Sequence, residues 1–174
     1  MHLVTALAIV IGVLGAIATY LFVGNVTGLG LQIWACFIAW ASFFHCGGGE
    51  AGLKNSVVAN IWGSLCATVA LILVTQASGG SVPVISAIVG VTVAVMILGA
   101  HVPLLAAIPA AVYGYACTAA FGLLVTGADP MSAAIQTSPF LNISISMAIG
   151  GLFGYLSGKI AGMLTAPAPK AATR

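Results

Sequence analysis

Two stretches decide how this chain reads: Ser56-Val57-Val58-Ala59-Asn60-Ile61-Trp62-Gly63-Ser64 and Ser138-Pro139-Phe140-Leu141-Asn142-Ile143-Ser144-Ile145-Ser146. Both follow the pattern Ser-x-x-x-Asn-Ile-x-x-Ser. Upstream, at an offset of 75 residues, Ile33, Trp40, Ala41 and Gly47 match Ile108, Tyr115, Ala116 and Gly122. The chain therefore reads as two copies, about 1–80 and 81–166. A longer 127–138 loop in the second copy accounts for the change in offset.

The medium around these copies follows from composition. Of 174 residues, 61% are hydrophobic and 3% charged. An ordinary soluble domain carries about 25% charged residues. The charges are Glu50, Lys54, Asp129, Lys159, Lys170 and Arg174. This excludes a soluble enzyme and a disordered chain. It also excludes a nucleic-acid partner, which needs a basic patch. What remains is an all-α integral membrane protein in one membrane domain. Crossing roughly 30 Å of hydrocarbon takes about 20 apolar residues, which allows six transmembrane helices. They are expected at about 3–23, 29–45, 56–75, 82–100, 104–126 and 139–163, followed by a disordered tail, 167–174. Residues 3–23 lack the basic start of a signal peptide and read as the first helix. Cys36, Cys46, Cys66 and Cys117 lie in or beside apolar runs and are expected as free thiols.

Three helices per copy put the copies in opposite orientations. Such inverted repeats carry their substrate site near the midplane where the halves meet. Lys54, Lys170, Arg174 and the end of helix 6 with Lys159 then share one side with both termini. By the positive-inside rule that side is cytoplasmic. Helix 6 carries Gly150, Gly154, Gly158 and Gly162 along one face, which favours close helix packing. A homo-oligomer is expected.

Ser56, Asn60 and Ser64 share one face of helix 3, and Ser138, Asn142 and Ser146 one face of helix 6. An Asn in hydrocarbon must find hydrogen bonds or cost several kcal/mol. The stripes read either as the lining of a shared path or as glue between helices. Trp34, Trp40, Phe44 and Trp62 are candidates to narrow such a path; otherwise they are packing or lipid-facing bulk. His45 is a candidate pore residue or a plain helix-end histidine. No residue has catalytic or metal-site spacing, and no cofactor is expected. Glu50 and Lys54, four apart, would pair if the glycine-rich 2–3 link is a short helix. Glu50 would join the site if the link re-enters the membrane.

Trp34-Ala35-x-Phe37, Ala41-x-Phe43-Phe44, Cys46 and Ala51-Gly52-Leu53-Lys54, around helix 2, carry a resemblance to a known family: bacterial inner-membrane proteins with domain of unknown function 1097 (DUF1097). It continues at Pro109, Gly114-x-Ala116-Cys117-x-Ala119 and Gly151-Leu152-Phe153-Gly154-Tyr155. It implies an inner-membrane, multi-spanning helical protein and carries over no site residue. The family's break after helix 2 is commonly shorter and less glycine-rich, so the link here is expected to be mobile. The repeat logic is also similar, more loosely, to that of urea-type channels.

The resulting expectation is a channel or facilitator for a small neutral or weakly charged solute of the urea, amide or ammonia class. A second reading is a non-transporting scaffold or assembly subunit. A third is an intramembrane thiol or metal enzyme built on His45 and Cys46. A channel predicts a polar path between helices 3 and 6. A scaffold predicts a dry core with polar groups bonded to each other.

Overall fold

A computed structural model of the chain describes residues 1–165. The expectation for the tail, 167–174, lies outside them. Six α-helices follow one another: α1 (Leu3–Val23), α2 (Ile33–His45), α3 (Gly49–Ala77), α4 (Val82–Leu98), α5 (Ile108–Leu124) and α6 (Pro139–Leu164). Two single 3₁₀ turns, Gly99–His101 and Pro103–Leu105, join α4 to α5. No strand occurs among the described residues.

Four helices are long and apolar enough to cross a membrane: α1, α3, α4 with its following turn, and α6. The other two are shorter. α2 has 13 residues and α5 has 17. At 1.5 Å per residue they reach about 20 and 26 Å, short of the ~30 Å hydrocarbon layer.

The expected boundaries move for local reasons. Helix 2 starts at Ile33 rather than 29, because Gly28 and Gly30 take φ of +69° and +61° and Gln32 is extended. Helix 5 starts at Ile108 rather than 104, with Pro109 in its first turn, where a missing N–H costs nothing. Helix 3 starts seven residues before the expected Ser56. Gly47, Gly48 and Gly49 have φ of +89°, +69° and +65°, a left-handed run open to glycine. The glycine link is therefore a tight turn, not a loop. The N–H of Gly47 donates to the Phe44 carbonyl (3.0 Å) and that of Gly48 to Phe43 (3.1 Å). Glu50 and Lys54 sit in the first turns of α3, and the Glu50 carboxylate accepts a long hydrogen bond from the Tyr155 hydroxyl (3.5 Å).

Packing runs crosswise between the two halves of the chain. α2 lies mainly against α6, and α5 against α3. α3 and α6 meet at the centre, while α1 flanks α6 and α4 flanks α3. Glycines set these approaches. A Cβ on Gly63 would fall on the main chain of Ala111, and one on Gly114 on that of Asn60. On the other side, a Cβ on Gly150 would fall on the main chain of Cys36, and one on Gly154 on the Phe43 ring. At Gly150 and Gly154 the glycine face of α6 thus works inside the protomer. α4 is the outlier, burying only Thr92 and Met96.

Candidate functional site

All six residues of the two polar stripes are buried. Ser56 donates to the Leu53 carbonyl of its own helix (3.1 Å). Ser64 of α3 is hydrogen-bonded to Thr118 of α5 and receives the Ser144 hydroxyl of α6 (3.4 Å). Ser138 caps α6, accepting from the Leu141 N–H (3.4 Å). Ser146 accepts from the Gln32 N–H (3.0 Å) and donates to Asn142 Oδ1 (3.5 Å).

The two asparagines differ. Asn142 Nδ2 donates to the carbonyls of Leu29 (3.4 Å), Gly30 (3.1 Å) and Ile135 (3.1 Å). The bonds to Leu29 and Gly30, with that from the Gln32 N–H to Ser146, fix the non-helical segment that leads into α2, while the bond to Ile135 ties in the loop before α6. In apolar surroundings irregular backbone is tolerated where protein satisfies it in this way. Asn60 Oδ1 accepts from Ser42 (3.2 Å), but its Nδ2 is buried without a partner. It is the sole such side-chain N or O atom among the described residues. The segment leading into α5 bonds to itself instead: Leu105 N–H to Val102 (2.8 Å), Ala106 to Pro103 (3.4 Å) and Ile108 to Ala106 (2.9 Å).

That second segment borders a cavity of about 400 Å³ lined by His45, Cys46, Asn55, Ala106, Ala107 and Pro109. Ser42, the partner of Asn60, lies one turn below Cys46, whose N–H donates to the Ser42 carbonyl (2.9 Å). His45 Nδ1 and the Tyr113 hydroxyl are 2.9 Å apart at the rim. Neither this cavity nor the three others described is lined by any of the six stripe residues.

The four candidate aromatics are not brought together. Trp40 is buried between α1, α2 and α6, stacked on Phe37 and Phe153, with Nε1 donating to Ser157 (2.9 Å). Trp62 donates to the Met96 carbonyl (3.0 Å) and lines a groove between α3 and α4. Trp34 donates to Gln32 (3.0 Å) and lines a hollow beside α5. Phe44 lines a separate cavity of about 510 Å³ near the glycine turn. Among the described residues no three His, Cys, Asp or Glu side chains gather as metal ligands, and all four cysteines are free.

Sequence reading missed Ser42, Gln32, Thr118 and Ser157. Each is a lone polar residue in or beside an apolar helix. Their one signal is the general demand that such groups find partners in hydrocarbon.

Searches of curated proteins and of solved structures gave no match. A family model described as "Protein of unknown function (DUF1097)" matches residues 8–162. The chain belongs to the DUF1097 family of proteins of unknown function.

Proposed function

We propose that this protein is a facilitator for a small neutral or weakly charged solute of the urea, amide or ammonia class, and not an enzyme. It would work in the bacterial inner membrane with both termini cytoplasmic. The crosswise packing supports reading the chain as a 3+3 inverted repeat, since exchanging α1 with α4, α2 with α5 and α3 with α6 leaves the pattern of neighbours unchanged. In that frame Asn60 and Asn142 are equivalent, and so are the segments leading into α2 and α5.

The observation that carries the reading is the unequal state of this pair. Asn142 clamps its segment through the carbonyls of Leu29 and Gly30; Asn60 keeps a buried, unpartnered amide below the cavity at His45 and Cys46. Two equivalent gates, one closed and one released, form the asymmetry that alternating access requires. A solute carbonyl entering from the glycine-turn side would take the Asn60 N–H, with Ser42 holding the other end of that amide. Ser64, Thr118 and Ser144 continue the polar contacts deeper, between α3, α5 and α6. The exposed face of α4 supports assembly of several copies in the bilayer.

The second reading, a non-transporting scaffold, rests on the dry core: every other buried side-chain polar atom described is bonded. Stopped-flow swelling of proteoliposomes with urea, acetamide, glycerol and ammonia separates the two. The facilitator reading expects uptake of one of these solutes, lost in Asn60→Leu while the protein stays folded. Uptake equal to empty liposomes for every solute hands the reading to the scaffold.

A further inference from the structure

The described residues hold four charged side chains, and two of opposite sign line one cavity. This cavity, about 510 Å³, opens where α1 begins, the α2–α3 turn reverses the chain and α6 nears its end. Leu3, Leu7 and Phe44 supply apolar wall, and Glu50, Tyr155 and Lys159 complete it. Tyr155 engages both charges. Its hydroxyl donates to Glu50 Oε1 at a long 3.5 Å, and Lys159 Nζ lies 5.5 Å from its ring centroid. Both charged residues are exposed, so their polar ends are open to a ligand.

Depth limits what that ligand is. Lys159 lies five residues from the end of α6, about 8 Å along the axis. Glu50 is the second residue of α3. Two charges at helix ends over an apolar wall match an amphiphile whose own two charges sit at the edge of the bilayer. An anionic lipid would meet the Glu50 carboxylate as a like charge. A quaternary ammonium has no N–H to give that carboxylate, whereas a primary ammonium has three.

We propose that this cavity is a binding site for an aminophospholipid of the phosphatidylethanolamine type. The phosphate sits at Lys159, the ammonium at Glu50, and an acyl chain runs along Leu3 and Leu7. The site is separate from the Asn60 cavity and stands whether or not the protein transports a solute.

Native mass spectrometry of the detergent-purified protein, titrated with phosphatidylethanolamine, phosphatidylcholine and phosphatidylglycerol, tests it. One charge-assisted hydrogen bond sets the expected preference for phosphatidylethanolamine at about tenfold. Glu50→Gln is expected to bring phosphatidylethanolamine down to the phosphatidylcholine level, and Lys159→Met to weaken both. Equal binding of the three lipids to the wild-type protein overturns the proposal without any variant. So does a preference that survives Glu50→Gln. Water-soluble glycerophosphoethanolamine is expected to compete poorly; displacement at the affinity of the intact lipid would overturn the lipid as ligand.

Discussion

Gly150 of α6 rests on the main chain of Cys36 in α2, so closely that no Cβ fits between them. Gly63 meets Ala111 in the same way across α3 and α5. Gly150→Ala and Gly63→Ala must push two backbones apart, and each is expected to cost about 2 kcal/mol or more. Gly162 has no neighbour within 4 Å. Gly162→Ala is expected to leave stability unchanged or raise it by up to about 1 kcal/mol, from helix propensity alone. Unfolding of the three variants in mixed micelles measures the difference, and equal effects would contradict the packing.

Asn60 and Asn142 are expected to separate stability from activity. Asn142→Leu removes the two amide N–H donors shared among three carbonyls and strands those carbonyls, a loss of about 2–3 kcal/mol. Asn60→Leu removes one bond, to Ser42, and an orphaned amide, so stability should change by less than about 1 kcal/mol. Thermal unfolding in detergent gives both numbers. A larger loss at Asn60 than at Asn142 would refute the assignment.

Trp40 and Ser157 offer a double-mutant cycle. Their hydrogen bond (2.9 Å) links α2 to α6 at the buried Trp40, which stacks on Phe37 and Phe153. Trp40→Phe, Ser157→Ala and the double variant are expected to give a coupling of about 1 kcal/mol. A coupling indistinguishable from zero would reduce the pair to simple packing.

Cys46 is expected to report which side the glycine turn faces. It is half-buried in the turn, whereas Cys36 and Cys117 are fully buried in helices. A membrane-impermeant maleimide should label Cys46 from the cytoplasmic side and leave Cys36 and Cys117 unmodified. Burial pushes the Cys46 thiol above its ordinary value, partly offset by a hydrogen bond with Ser42. Only the thiolate reacts, so labelling should keep rising with pH beyond the range where a free thiol is already ionised. Labelling from the opposite side alone would invert the topology.

The number and order of the helices were legible because apolar runs alternate with glycine- and proline-rich breaks. The starts of α1, α4 and α6 were legible as well, but those of α2, α3 and α5 were not. Composition cannot distinguish a glycine loop from the three-residue left-handed turn at Gly47–Gly49, and α3 gained a whole N-terminal segment from that difference. The polar stripes were legible as buried groups, but their roles were not. Asn142 is defined by the carbonyls of Leu29 and Gly30, more than 100 residues away in sequence. Spacing along one helix carries no information about that partner. The aromatic run of helix 2 misled for a related reason: periodicity gives the face of a ring but not the helix opposite, and Trp34, Trp40 and Phe44 meet three different neighbourhoods.

The crosswise packing bears on how the chain is made. When α1, α2 and α3 have left the ribosome, most of the surfaces that α2 and α3 will bury, apart from their contact with each other, still have no counterpart. Those surfaces are completed by α5 and α6, which emerge last. The first half must therefore wait in the bilayer, or beside an insertion factor, as three loosely associated helices. The two halves close on each other only once α5 and α6 have emerged, so until then α2 and α3 keep most of their packing faces open.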